Sequence, residues 1–512
     1  MSAAPAAAPS ATPQGGQSIY DWRLLTGLLG VLLAAMMAGL SNRMVGLGMT
    51  DISGALGIDQ DMASWLDSAY AAGELAVMPF ATWFAITFSL RRFHLCMQGL
   101  VVLLALIIPE VTNYHALLVL RFMQGLFAGA LIPLLMMAAL RFLPAQIRLH
   151  ALALYAMTAT LAPNVAVWLA AYSLESLNEW RWLYWQLVVV GCISIPLVAW
   201  GLPAMPPAYA RIKQANWLGM SLGVPGLVIV ALATSQAVRL DWFNSSLIQA
   251  GFVTGIGLLV LFLFSEWFHP APFMRLQIMG RRNIGLGFAV FFCLLLGMGA
   301  AVALPMNLLS AFQGFRIEQM TELGLIVGVP QLILGSLVAI LLYQRWVDAR
   351  YLFAGGLFLM GMGCLVNSQL NSEWMVSQFF FGQVLQTLGQ PLAIVPLLFL
   401  GTSVVQPAEG PFVAGIINTM RAFGTLFSGA MVGELMHSRQ TFHSEILRGQ
   451  SSYWLSQPDT GSGIAELGQI VNQQALVLAG ADLYEIYGVL MLLLIPPVLC
   501  LKYIPAPQVK PE

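Results

Sequence analysis

Five charged side chains fall inside otherwise apolar stretches of this sequence: Arg43, Asp67, Glu74, Arg121 and Arg421. A charge inside a bilayer is costly and faces a cavity or another charge. At the rise of a helix, Arg43, Asp67 and Arg121 fall in the outer third of the membrane, and Glu74 and Arg421 near its midplane. Asp67 and Glu74 are two helical turns apart and share one face. Desolvation favours the neutral acid, which suits Glu74, with Asp67 behind it, to take up and release a proton. Arg421 stays charged, so it pairs a charge or holds an anionic group. Three arginines against two carboxylates leave an embedded positive excess that an acidic substrate group would balance. The alternative is structural: Asp67 pairs with Arg121, Arg43 snorkels to the headgroups, and Arg421 bonds backbone carbonyls. A stripe of amides, Gln383, Gln386 and Gln390, lies on one helix face as a polar cavity wall or as glue between helices.

Other chemistries find no footing. There is no GxxxxGK[ST] loop, and the three lysines, Lys213, Lys502 and Lys510, follow no glycine-rich strand, which excludes ATP hydrolysis within the chain. The six histidines lie in loops or at the edges of apolar blocks, and the five cysteines stand singly with no CxxC spacing. No catalytic constellation, metal site or cofactor is expected. A net charge of −1 suggests no nucleic-acid partner.

The elements that must hold these residues are membrane helices. The 512 residues are 59% hydrophobic and 9% charged, against roughly 25% charged in a soluble chain. Apolar blocks recur from 24–47 to 483–504, many long enough for the roughly 20 residues a span needs. Continuous blocks exclude an alternating β-barrel, and lipid leaves only helices. Fourteen spans are expected, with twelve the alternative. Basic residues concentrate in alternate connections and at both ends, among them Arg91, Arg92, Arg141, Arg148, Arg211, Arg281 and Arg345, which makes those connections and both termini cytoplasmic. Residues 436–482 read as a long polar outer loop whose second half, Ile464 to Ala481, has helical periodicity.

Arg121-Phe122-Met123-Gln124-Gly125-Leu126-Phe127-Ala128-Gly129-Ala130-Leu131-Ile132-Pro133 resembles the span-4 motif of major facilitator drug:proton antiporters, R-x-x-Q-G-x-x-x-G-x-x-x-P. Ser64-Trp65, Ala162-Pro163, Trp180-Arg181-Trp182, Leu240-Asp241-Trp242, Asn418 with Arg421, and Asn472-Gln473-Gln474 are similar to the fourteen-span branch, the EmrB/QacA type. The likeness runs from about residue 20 to 504. Three family motifs are altered. The span-1 pattern L-D-x-T-I-x-N-x-A-x-P carries Ser41 for its aspartate, Arg43 for its threonine and Thr50 for its proline. The loop after span 2 keeps Arg91 and Arg92 but not G-x-L-a-D-r-x-G, and G-P-x-x-G-G of span 5 is replaced by Ala166 to Ala171. The carboxylate has moved from span 1 to span 2.

The resemblance implies an all-helical major facilitator fold. A tail at 1–20 precedes a six-helix bundle at 21–205. Two extra spans follow at 206–270, then a second six-helix bundle at 271–504 and a tail at 505–512. It implies a proton-coupled exporter of small organic molecules (drugs or acidic or aromatic metabolites) in the bacterial inner membrane, with a periplasmic adaptor and an outer-membrane channel as partners. The alternatives are a uniporter or importer of the same fold, and a transport-inactive scaffold or sensor.

Overall fold

The computed structural model describes residues 21–143, 145–455 and 463–507. The expected tail at 1–20, the last five residues of the chain, and 456–462 within the expected outer loop lie outside them. Among the described residues the chain is helical throughout, with no strand.

The helices α1 (Trp22–Leu47), α2 (Gln60–Phe88), α3 (Leu90–Ile107) and α4 (Tyr114–Phe142) are followed by α5, in two pieces (Ala145–Thr160 and Ala162–Ala171), and α6 (Trp182–Gly201). These six pack on one another. Next come α7 (Trp217–Gln236) and α8 (Ser246–Phe268). The second set is α9 (Arg282–Met298, then Ala303–Gln313), α10 (Thr321–Gly328, then Gln331–Leu342), α11 (Ala349–Asn367), α12 (Phe380–Thr402), α13 (Gly410–Leu455) and α14 (Gly463–Leu493). Among the described residues twelve helices are long and apolar enough to cross a bilayer, and the bent α5 makes a thirteenth. The expected fourteen is not reached on hydropathy. The one that falls short is α13, whose membrane-level stretch carries Asn418, Thr419, Arg421, Thr425 and Ser428.

The two sets meet along a seam where α13 packs on α2 and α4, and α5 packs on α10 and α12. On the face that bears the chain termini the seam is tight. A Cβ on Gly415 would lie 3.3 Å from the Pro79 carbonyl oxygen, and the His150 and Tyr343 rings are 5.5 Å apart. The two extra helices pair with each other, and α7 lies against both α2 and α13. Polar contacts pin α7 to α2: the Gln236 amide donates to the Ser68 hydroxyl at 2.6 Å, and Arg239 pairs with Asp61 at 3.1 Å.

The segment expected as an outer loop is a helical hairpin: its second half is helical as its periodicity implied, and its first half, up to Leu455, is helical too. At 46 residues α13 is about 69 Å long, against about 30 Å of hydrocarbon, so much of it stands beyond the membrane. Its polar composition suits a solvated helix as well as a loop. Asp482 of α14 accepts from Arg439 at 2.7 Å and lies 2.8 Å from His443 Nε2, which fastens the hairpin's base. Gln473 of the Asn472-Gln473-Gln474 motif donates to the Phe312 carbonyl at the end of α9, 3.1 Å away.

On the terminal face a bidentate pair ties the start of α9 to the turn before α13. Both Arg281 Nη atoms donate to Glu409 at 2.7 Å, and Nη1 also reaches the Val404 carbonyl at 2.7 Å. The Arg281 hydrogen bonds hold the Glu409 carboxyl below its ordinary 4.5. A depressed folded-state value stabilises the fold above the ordinary carboxylate range, and that gain is lost as pH falls through the folded value. Glu409→Gln should therefore cost about 1 kcal/mol at neutral pH, after allowance for screening of the partly exposed arginine. Thermal unfolding in detergent should show the variant below wild type at neutral pH, with the gap closing under strongly acidic conditions.

Candidate functional site

The site is organised by one backbone contact. Gly73 of α2 lies on the Phe122 carbonyl of α4, and Gly125 of α4 on the Tyr70 carbonyl of α2. One turn on, a Cβ added to Gly129 would sit 2.8 Å from the Glu74 Cα and carbonyl oxygen. The glycines of the span-4 motif thus bring two backbones together where side chains would hold them apart. This fixes the face of α2 that carries Asp67, Tyr70 and Glu74 against the face of α4 that carries Arg121 and Gln124.

Arg121 is 1% exposed, and Asp67 lies 3.8 Å from its Nη2. The guanidinium lies over the rings of Tyr70 and Tyr184, at 4.7 and 5.8 Å, and its Nη1 donates to Gln124 Oε1 at 2.8 Å. Its Nε and Nη2 make no hydrogen bond. The Asp67 side chain is 49% exposed although it faces the interior of the bundle, so it borders a cleft. Arg43 is exposed on the same cleft and acts electrostatically on Asp67 together with Arg121. Arg43, Asp67 and Arg121 form one group, wholly within the first six helices.

The second group crosses the seam. Glu74 of α2 interacts electrostatically with Arg421 of α13. Arg421 Nη1 donates to the Thr158 hydroxyl at 2.6 Å, its guanidinium lies 5.6 Å from the Tyr155 ring centre, and the Tyr155 hydroxyl donates to Asn418 at 2.8 Å. A titratable acid in one bundle thus faces a fixed cation in the other. Arg421 is held by a side-chain hydroxyl and a ring, where the structural alternative had backbone carbonyls.

The structure does not bring the glutamines of α12 to this site. Gln383 donates to the Ala301 carbonyl, which the break in α9 leaves free, and Gln386 to the Met360 carbonyl at 3.1 Å and to Cys364 Sγ at 3.3 Å. Gln383, Gln386 and Gln390 are all buried. The first two join α12 to α9 and α11, the gluing role rather than a cavity wall. Pro133 lies inside α4, and Ala162 and Pro163 begin the second piece of α5, bent by 44° from the first. Tyr70, Tyr184, Tyr155 and Thr158 were not singled out from sequence. Only Tyr70 left a signal there, three residues after Asp67 and four before Glu74 on one helix face. Among the described residues no cluster of His, Cys, Asp and Glu could hold a metal ion.

Two helical bundles joined by a charged seam define a transporter of the major facilitator type. The Major Facilitator Superfamily model matches residues 31–429, and the chain belongs to that superfamily. It is similar to the "Probable multidrug resistance protein EmrY" of Escherichia coli (25% identity over 478 residues, 90% of this chain and 92% of the relative). It is also similar to the "Colistin resistance protein EmrB" of Acinetobacter baumannii (21% identity over 433 residues, 83% of each). Among solved structures, a POT family transporter in complex with a thioalcohol-conjugated peptide shares the fold. The TM-score is 0.59 at 12% identity, over 93% of this chain and 96% of that one.

If the glycine contact sets the site, Gly129→Leu should wedge α2 from α4 and cost about 1–3 kcal/mol of stability. Gly99, with nothing within 4 Å of an added Cβ, should accept alanine without loss. Thermal unfolding of both variants checks this.

Proposed function

We propose that the chain is a proton-coupled exporter of small organic molecules across a bacterial inner membrane. The observation that carries this reading is the electrostatic interaction of Glu74 with Arg421 across the seam, at longer range than an ion pair. Deprotonated, Glu74 attracts Arg421 and draws the bundles together. Protonated, it loses most of that attraction, and the bundles are freer to part. A proton therefore biases the equilibrium between two arrangements of the same helices, as coupling requires. Asp67, on the open cleft and two turns from Glu74, is the relay group, and Arg121 sets its charge.

The names of the relatives support small organic molecules, drugs among them, as cargo. In this reading the α13–α14 hairpin meets a periplasmic adaptor, which leads to an outer-membrane channel. Its length exceeds what joining two spans requires, and Phe442, Ile446 and Ile470 are exposed along it.

Glu74→Gln should abolish transport driven by a pH gradient in proteoliposomes while leaving the protein inserted and folded. Full gradient-driven transport by that variant would overturn the assignment. Photocrosslinking from position 446 or 470 in cells should capture the adaptor, and export that survives removal of the hairpin tip would refute the partnership.

A further inference from the structure

Arg281, Arg282 and Asn283 stand in sequence at the start of α9, and each is used differently. Both Nη atoms of Arg281 are spent on Glu409. Asn283 is buried, and its amide grips a single residue of a distant segment by both backbone groups. Its Nδ2 donates to the Lys502 carbonyl at 3.1 Å, and its Oδ1 accepts from the Lys502 amide at 2.7 Å. Lys502 is thereby fixed beside the start of α9, although 219 residues separate the two. Arg282, between them, is exposed.

Gly280, these three residues, Val404 and Lys502 line a cavity of about 540 Å³. That volume falls within the roughly 300–1,000 Å³ usual for small-molecule sites. Glu409 neutralises Arg281 from outside the cavity, so the charge within it comes from Arg282 and Lys502. Among the described residues neither of these forms an ion pair with a carboxylate. α9 begins here without a side-chain cap, so the positive end of its dipole adds to both cations. Like charges on one cavity repel unless an anion lies between them.

The cavity lies at the edge of the lipid-facing surface. Ile486, Val489 and Leu493 of α14, at i, i+3 and i+7, are exposed on one helix face. Leu499 and Tyr503 are exposed beyond them and carry that surface to Lys502. An exposed tyrosine at the end of a span marks the depth of the headgroups. The anion already present at that depth is a lipid phosphate. Arginine grips two oxygens of a phosphate at once, and lysine adds a point charge. Basic pockets between membrane helices bind anionic headgroups in this way.

We propose that this cavity binds the phosphate of an anionic phospholipid from the leaflet on the termini side, between Arg282 and Lys502. The lipid is a resident of the second bundle and not cargo, so the inference stands apart from the export reading. Its phosphate bridges the start of α9 and the chain beyond α14, the two segments that Asn283 already joins.

The test is native mass spectrometry of the full-length protein with phosphatidylglycerol or phosphatidylcholine, beside thermal unfolding in detergent. Phosphatidylglycerol should be retained about tenfold better than phosphatidylcholine and should raise the unfolding temperature. The double variant Arg282→Gln, Lys502→Gln should lose both the preference and the rise. Without added lipid it should unfold as the wild type does, which separates lost binding from lost folding. Arg345→Gln removes an exposed cation outside the cavity and should keep both effects. Equal retention of the two lipids by the wild type would overturn the proposal. So would an Arg345→Gln loss as large as that of the double variant, which would make the preference one of general surface charge. Inorganic phosphate separates the two sources of the anion and should neither displace phosphatidylglycerol nor stabilise the protein. If it does both, and depends on Arg282 and Lys502, the site takes a soluble phosphate and the lipid assignment fails.

Discussion

The contact between α2 and α4 is made by backbone, and backbone cannot rearrange as a side chain can. Gly73, Gly125 and Gly129 remove the atoms that would keep the helices a side chain apart. Once the axes are this close, the register of one helix on the other is fixed to within a fraction of a turn. Asp67, Tyr70 and Glu74 then have one possible relation to Arg121 and Gln124. A looser interface would let α2 roll and would move both acids relative to their arginines. Packing there sets the electrostatics.

Those electrostatics are divided by bundle. The Asp67–Arg121 pair lies inside the first bundle, so a rocking motion between bundles leaves it intact. Its long 3.8 Å separation and the two unsatisfied guanidinium nitrogens make it a pair that can be retuned without being broken. Glu74 and Arg421 belong to opposite bundles and cannot keep one separation through such a motion. Charge loss at Glu74 changes an interaction between bodies; charge loss at Asp67 changes one within a body. The Thr158 and Tyr155 contacts from α5 keep Arg421 engaged with the first bundle when Glu74 is neutral. That limits how far the seam relaxes at this depth.

The sequence made the embedded charges legible because each is an isolated exception to an apolar run, and the cost of burying charge singles it out without reference to structure. The span-4 glycines were visible as a motif, but what they touch was not, since small-residue spacing says that a helix is approached closely and not by which partner. The holders of Arg421 were invisible for a different reason: Thr158 lies 263 residues away in the chain, and a threonine inside a span is unremarked. The amides of α12 misled because a polar stripe looks alike whether it faces water or a neighbour's free carbonyl. The free carbonyl at Ala301 decides between them, and its only mark in the sequence is Pro305, four residues on, which has no amide hydrogen to donate to it. The first half of the hairpin was read as loop because a solvated helix and a loop draw on similar residues once the apolar face is narrow.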